Sequence, residues 1–313
     1  MRAIVFTGAG GAEVMSLEER PDPRPGSDEV LVEASFSGVN PADVNQRAGN
    51  YPAPPGSPVD VPGLEVSGTV AEVGENVHDW RPGDRVFGLV GGGGLADRVR
   101  VNARHVARVP DALDDRLAAA VPEAFITAHD AVFTQAAVRP GERLLVNGAN
   151  GAVGLAAVQM ALVTGVRVLA NVRSDSAAER LRAMGADVVA LGEAREVDVV
   201  LELVGAPNID GDLAALAPKG RIVIVSTAGG SRVELSLGAL MGRRATMIGT
   251  LLRARPLEQK AAAVQAFARQ IVPLLESGAI VPVVDRVFPA EQAAEAFDHL
   301  QQPGKFGKVL LSW

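Results

Sequence analysis

Apolar and polar positions change their period part of the way along the chain. Up to about residue 110 the apolar residues fall in short runs broken by Gly and Pro: "AIVFT", "EVLVEASFSGV", "GLEVSGTVAEVG", "RVFGLV" and "DRVRV". Short strands at this spacing predict a largely antiparallel, barrel-like unit. From residue 117 the texture turns alanine-rich with helical spacing in "LAAAVPEAFITAHDAVFTQAA", which predicts a helix. Strands and helices then alternate. "RLLVNG" leads into the helix "AVGLAAVQMALVTG", followed by the strand "VRVLANV", the helix "SAAERLRAMG" and the strands "DVVAL" and "VDVVLELVG". The helix "NIDGDLAALAPKG" and the strands "RIVIVST" and "ATMIGT" complete this part. Continuous apolar runs alternating with helices predict a parallel sheet covered on both faces, the doubly wound arrangement. A helix from Pro256 to Glu276, a strand at "VVDRVF", a helix over "AEQAAEAFDHL" and a strand "KVLLSW" end the chain. There is no internal repeat, and the four glycines from Gly91 to Gly94 read as a flexible turn.

Length and composition narrow the function classes. At 313 residues, 48% of them hydrophobic, the chain exceeds a typical single domain of roughly 100–200 residues, so two domains are expected. A net charge of −7 with no basic block disfavours nucleic acid and anionic membrane surfaces as partners. No apolar run approaches the ~20 residues of a membrane span, and "MRAIVFTGAGG" reads as a strand and turn rather than a signal peptide. A soluble cytoplasmic protein is expected. With no cysteine, disulfides, thiol nucleophiles and thiolate zinc sites are excluded, so redox chemistry has to ride on a cofactor.

That cofactor has a candidate seat. "RLLVNGANGAVG" puts Gly148, Gly151 and Gly154 after a strand and at the opening of a helix, with Asn150, Ala152 and Val153 between them. Glycines admit a dinucleotide pyrophosphate to the backbone, and the helix N-terminus favours its charge. The spacing is GxxGxxG rather than GxGxxG, and a ligand-free strand-to-helix turn is the alternative. The following strand ends in Asn171, Val172, Arg173 and Ser174, where NAD enzymes usually carry a carboxylate for the ribose 2′-OH. Arg173 and Ser174 suit a 2′-phosphate instead, so NADPH is expected over NADH. A plainer reading makes Ser174 a lead into the helix, with Ser176 and Glu179 as an S-x-x-E capping box.

Six segments in order, "GVNPADVNQRAGNYP", "VPGLEVSGTVAEVG", "WRPGDRVFGLV", "AAAVPEAFITA", "NGANGAVG" and "KFGKVLL", resemble the zinc-free quinone oxidoreductases. These form the zeta-crystallin-like branch of the medium-chain dehydrogenase/reductase superfamily. "GTLLRARPLEQKAAAVQAFARQIVPLLESG" and "PVVDRVFP" look most like the stress-inducible subgroup. The resemblance runs the full length. It implies an α/β protein with a GroES-like β-barrel catalytic domain over residues 1–122, a doubly wound Rossmann domain for NADPH over 123–256, and a return to the catalytic domain over 257–313.

The resemblance also implies roles. Thr127 comes near the nicotinamide carboxamide; Val204, Gly205, Ser226 and Thr227 line the ribose and nicotinamide. Leu251, Leu252 and Arg253 come from the loop after the last Rossmann strand, and Lys308 from the closing strand, as further cofactor contacts. The family often has a lysine where this chain has Ser176 and Ala177, so Arg173 or Arg180 has to substitute. Tyr51, the only tyrosine, ends an Asn/Asp/Gln-rich turn that the resemblance brings to the cleft facing the nicotinamide. It is expected to touch the cofactor and polarise the acceptor, or else to anchor the loop beside Pro52, Pro54 and Pro55. Asn40 and Asp43 are either site residues or turn residues fixing "NPAD".

Zinc relatives carry Cys where Asn40 stands and a His-Glu pair where Leu64 and Glu65 stand. Here His78, His105, His129 and His299 lie far apart, and no metal is expected. Glu65 is expected to order the loop beneath the site through backbone hydrogen bonds. The implied activity is NADPH-dependent reduction of a quinone or enone by hydride transfer, in a homodimer. A 2-enoyl thioester reductase and a low-turnover NADPH-binding structural protein, as among lens crystallins, are the alternatives.

Overall fold

The structure, a computed structural model, describes residues 1–313. It divides into two compact units, Met1–Ile126 with Leu252–Trp313, and Thr127–Leu251. The expected junctions were after residues 122 and 256, so the inner unit begins and ends somewhat differently from that expectation.

In chain order the first unit contains β1 (Arg2–Phe6), β2 (Met15–Glu19), β3 (Glu29–Val39), α1 (Pro41–Arg47), β4 (Glu65–Val73), β5 (Arg85–Leu89), β6 (Arg98–Asn102), β7 (Val106–Arg108) and α2 (Asp115–Ala118). The unit boundary falls within α3 (Pro122–His129). The second unit holds β8 (Arg143–Asn147), α4 (Ala152–Val163), β9 (Arg167–Asn171), α5 (Asp175–Ala183), β10 (Asp187–Val188), β11 (Val197–Glu202), α6 (Ile209–Ala215), β12 (Leu216–Ile224), α7 (Leu237–Arg243) and β13 (Thr246–Gly249). The chain returns to the first unit with α8 (Leu257–Gln270), α9 (Val272–Glu276), β14 (Val284–Pro289), α10 (Ala293–Gln301) and β15 (Lys308–Ser312).

The first unit is organised by β3, which is long enough to serve three partners. It pairs antiparallel with β15, β4 and β6, and its ladder with β4 shifts register between Leu31 and Val32 and between Ala34 and Phe36. Such bulges bend a strand and let a sheet curl. The strand order is β14-β15-β3-β4-β5-β7. Alternating valines (Val30, Val32, Val66, Val86, Val99 and Val101) fill the interior. A second cluster, with Phe6 edge-on to Phe297 at 6.0 Å, fastens α10 to β1 and β15.

The second unit is a six-stranded parallel sheet of order β10-β9-β8-β11-β12-β13. Both faces are apolar because helices cover both, as the unbroken runs in β8 and β11 require. The order reverses between β8 and β11, the switch point at which doubly wound sheets bind ligands.

Four local expectations change. The helix expected over residues 117–137 is α2, then α3 starting at Pro122, then a π-helical segment Asp130–Gln135; proline lacks the N–H to continue a helix but suits its first position. The helix expected over residues 208–220 stops at Ala215, because Pro218 bars helix continuation and the chain becomes β12 instead. The Pro256–Glu276 helix breaks at Ile271, since Pro273 enters the first turn of α9. The stretch Gly91–Gly94 is not a free turn. A Cβ on Gly94 would lie 2.4 Å from the Glu65 carbonyl oxygen, and Gly93 donates to Val61 at 2.8 Å, so these glycines serve backbone-on-backbone packing.

Candidate active site

The first unit builds a buried charged centre from four separate elements. Asn40 precedes α1, and its backbone N–H donates to the Asp43 carboxylate at 2.8 Å, so "NPAD" is the capped start of a helix. The other Asp43 oxygen accepts the Gly63 N–H at 3.1 Å. Lys308, at the start of β15, is 2% exposed, and its ammonium lies 2.5 Å from Asn40 Oδ1 and 2.6 Å from Glu65 Oε1. Asn40 Nδ2 donates to the same Glu65 oxygen at 2.9 Å, and the Glu123 N–H donates to Glu65 Oε2 at 2.9 Å. Room for this cluster comes from Gly38, where a Cβ would sit 2.1 Å from Glu65 Oε1 and 2.5 Å from Lys308 Cε.

The electrostatics follow from burial. Burial works against the Lys308 charge, but Glu65, Glu123 and Asp43 outweigh it and raise the amine above its ordinary range. Burial pushes the Asp43 carboxyl up to about 7, against the pull of the Asn40 N–H, Arg253 and Lys308. Glu65 therefore does more than the expected ordering of a loop. It is one half of a buried ion pair and takes a single backbone hydrogen bond.

Lys308 and Arg253, both expected at the cofactor, are engaged within the first unit. Arg253 is buried, donating to the carbonyls of Gly91 (2.8 Å) and Tyr51 (3.2 Å) and to Gln46 Oε1 (2.5 Å). Its guanidinium also lies 5.0 Å from the Tyr51 ring centroid. Lys260 holds the Arg253 carbonyl at 2.9 Å. Tyr51 is thus fixed from below by a cation. Burial raises its phenol above the usual range despite Arg253, so it remains a protonated donor at neutral pH. Leu252 is half-buried in the first unit, and Leu251, in the second, is exposed.

In the second unit, the C-terminal ends of the strands collect most of the remaining expected residues. Gly148, with φ +76°, follows β8, and the N–H groups of Gly148 and Ala149 donate to the Asn171 carbonyl at 3.2 and 3.3 Å. No side chain caps α4, so the first-turn N–H groups of Ala152, Val153 and Gly154 stay available to an anion beside Asn150 and Gly151. A Cβ at Gly154 would lie 2.7 Å from Ala149 Cα, the close helix-to-turn packing that the third glycine of a dinucleotide turn provides. Past β9, Arg173 is exposed, Asn171 Nδ2 donates to the Val189 carbonyl at 3.1 Å, and Ser174 is the N-cap residue of α5. Ser174 Oγ lies 2.8 Å from Ser176 Oγ, so α5 starts at Asp175 and Ser176 is not its cap. Past β11 and β12, Val204 and Gly205 interlock with the turn that follows Ser226 and Thr227, through Gly229 N–H to Val204 O at 2.7 Å and Ala206 N–H to Gly230 O at 3.0 Å. Thr127 is buried at the start of this unit.

Three buried residues here carry no expectation from the sequence: Asn147, Glu202 and Asp212. Their signal was a carboxylate or amide inside an apolar run, in "LLVN", "DVVLELVG" and "IDGDLAAL", which costs free energy unless the group has partners.

Two families match this chain: the alcohol dehydrogenase GroES-like domain over residues 26–111, and "Zinc-binding dehydrogenase" over residues 168–311. The quinone oxidoreductase of Rattus norvegicus is 33% identical over 99% of this chain and 97% of its own length. Among solved structures, the mycobacterial protein Rv1454c complexed with NADPH superposes with a TM-score of 0.89 at 27% identity, covering 100% of both chains. The CurK enoyl reductase superposes with a TM-score of 0.86 at 26% identity, covering 99% of this chain and 98% of that one.

The second family's description raises the question of zinc, and the residues do not fit it. No group of three His, Cys, Asp or Glu side chains is placed to hold a metal ion, and the Lys308 ammonium already sits against Asn40 and Glu65. An ammonium at hydrogen-bond distance repels a dication and occupies its space. The nucleotide fares better, because the glycine turn, uncapped α4 and switch point all meet its needs. The fold, the paired family matches and full-length similarity to named quinone oxidoreductases agree: the chain is an oxidoreductase and belongs to the zeta-crystallin-like quinone oxidoreductases of the medium-chain dehydrogenase/reductase superfamily.

Proposed function

We propose that the protein is an NADPH-dependent quinone reductase that works without zinc. The observation that carries this reading is the strand-to-helix turn Gly148–Gly154 followed, at the end of β9, by Arg173 and Ser174 where an NAD enzyme has a carboxylate. The α4 N-terminus binds the pyrophosphate, and Arg173 with Ser174 grips a 2′-phosphate. When bound, reduced nicotinamide supplies a hydride to a conjugated acceptor. Val204, Gly205, Ser226 and Thr227 orient it, and Thr127 holds its carboxamide. Steady-state NADPH oxidation with 1,4-benzoquinone, 9,10-phenanthrenequinone and crotonyl-CoA side by side tests the reading. Turnover with the quinones and little with crotonyl-CoA is expected. Preferred crotonyl-CoA turnover would shift the assignment to an enoyl thioester reductase, and no turnover with any acceptor to a nucleotide-binding structural role.

Because Lys308 supplies the positive charge beside Glu65, quinone turnover should survive prolonged EDTA treatment unchanged. Loss of turnover with recovery on added zinc would overturn the zinc-free reading.

Tyr51 contributes polarity rather than an obligatory proton. A hydroquinone oxygen takes its proton from water, whereas an enoyl carbon needs a placed donor, typically a 10²–10⁴-fold effect. Tyr51→Phe keeps the ring over Arg253 and should lower quinone turnover less than roughly tenfold, well below a full general-acid effect. A thousandfold loss at unchanged NADPH affinity would make Tyr51 an essential acid.

The edge strand β13 is short and half-exposed, and a bare edge pairs readily with another chain. The exposed Leu237 and Met241 of α7 and Leu251 add apolar surface in the same unit. A homodimer is the expected state, checked by light scattering at micromolar concentration; a monomer there counts against it.

A further inference from the structure

Glu202, at the C-terminal end of β11, is fully buried and organises the turn that follows it. Its Oε1 accepts the backbone N–H groups of Val204 at 2.5 Å and Gly205 at 2.6 Å. Asn208 Nδ2 reaches its Oε2 at 3.2 Å. These bonds fold the chain back on itself at Gly205, whose φ of +110° is open to glycine alone, and where a Cβ would lie 2.7 Å from the Gly230 carbonyl oxygen. One carboxylate oxygen thus holds the inside of this turn, whose outside is held by the Gly229 N–H to the Val204 carbonyl and the Ala206 N–H to the Gly230 carbonyl.

A second acid stands beside it. The Asn147 amide nitrogen donates both to Glu202 Oε2 and to Asp212 Oδ1, each at 2.6 Å, which brings the two carboxyls to one bridging group. Asp212 is 2% exposed, and its Oδ2 meets no donor, nor does Asn147 Oδ1. The cavity next to Asp212 measures about 10 Å³ and is lined by Asn147, Asn171, Ala190, Leu191 and Ala194 among others, with no basic residue. It has room for about one water and none for a cationic side chain. Two adjacent carboxylates with no counter-charge cannot both stay ionised in a buried site. Glu202 accepts from two backbone N–H groups and two side-chain amides, whereas Asp212 has one donor and a bare oxygen, so Asp212 is the one built to hold a proton.

We propose that Glu202 and Asp212 share one proton and that this proton holds the Val204–Gly205 turn in its nucleotide-accepting shape, with Glu202 the positioning residue and Asp212 its proton partner. The proposal rests on the reading of this turn as part of the NADPH site. Its direction with pH follows from the raised Asp212 carboxyl, which burial and then the neighbouring Glu202 push up to about 8. A folded state that holds a proton the unfolded chain would release loses its advantage as pH rises through that value. Above it, two buried negative charges repel across Asn147, and Glu202 is drawn away from the Val204 and Gly205 N–H groups. Asp43, the other carboxyl raised into this range, belongs to the first unit, so a variant at Asp212 separates the two.

The test is a titration of NADPH binding by fluorescence, from about pH 6 to about pH 10, with amide exchange of Val204 and Gly205 measured in the ligand-free protein over the same range. In the wild type, Kd should stay flat at the low end and rise toward about tenfold per pH unit above about 8, as loss of a required proton dictates. Protection of the Val204 and Gly205 amides should fall over the same interval. Asp212→Asn, which imitates the protonated acid, should abolish both changes, and Glu202→Gln should weaken protection of the two amides at every pH. A pH-independent Kd with constant protection in the wild type, or an undiminished rise in Asp212→Asn, overturns the proposal. Failure to bind NADPH at any pH overturns the nucleotide reading instead, and the exchange measurement then decides the shared proton separately.

Discussion

Lys308→Met should lower the folding free energy by about 3–5 kcal/mol, the usual cost of removing one partner of a buried ion pair. The size follows from what stays behind. Glu65 is 2% exposed, its remaining donors are the Asn40 amide and the Glu123 N–H, and Asp43 lies close enough for its charge to be felt at Lys308. Methionine matches the lysine stem in volume, so the loss reports charge rather than a cavity. Denaturant unfolding measures it, and the double variant Lys308→Met with Glu65→Gln should recover part of the loss because no bare carboxylate remains. A loss below about 1 kcal/mol, the range of an exposed pair, would show that the centre is solvated and not a substitute for a metal. The raised Lys308 amine sets the pH sign. Its contribution is complete below the ordinary lysine value and disappears only as pH climbs through the higher folded value, so the wild type should keep this stability across the neutral range.

NADPH should bind more tightly than NADH by about 2 kcal/mol or more, roughly thirtyfold, the scale of a charge-assisted hydrogen bond to phosphate. Arg173 is exposed at the end of β9, free to close a planar fork on a 2′-phosphate, and no acidic residue occupies the Asn171–Ser174 stretch that would repel it. Arg173→Glu should erase or reverse the preference by replacing attraction with repulsion while leaving the glycine turn intact. Titration calorimetry with both nucleotides checks each statement. Equal affinities in the wild type would mean that Arg173 is only a solvated strand end.

What the sequence by itself determined was set by local periodicity and by glycines with fixed steric duties. Short broken strands in the first third and apolar strands alternating with helices in the middle announced the two architectures, because burial on one face and burial on two leave different periods in the chain. The strand-to-helix turn at Gly148–Gly154 was legible for a local reason too: Gly148 takes a φ of +76°, and a Cβ at Gly154 would lie 2.7 Å from Ala149 Cα. Local signals failed where proline overrode composition. Pro122, Pro218 and Pro273 redrew helices that alanine content had extended, and the clustered Gly91–Gly94 read as looseness when it was tight packing. Tertiary structure alone decided the partners of the buried charges. Lys308 lies 268 residues from Asn40, Arg253 lies 207 from Gln46, and Asp212 lies 65 from Asn147, and no period or motif links such positions. A lysine on a closing strand does not announce Glu65 as its partner until the fold puts the two together. Ion pairing inside a protein depends on distance in space and on the exclusion of water, and only the closed fold supplies both.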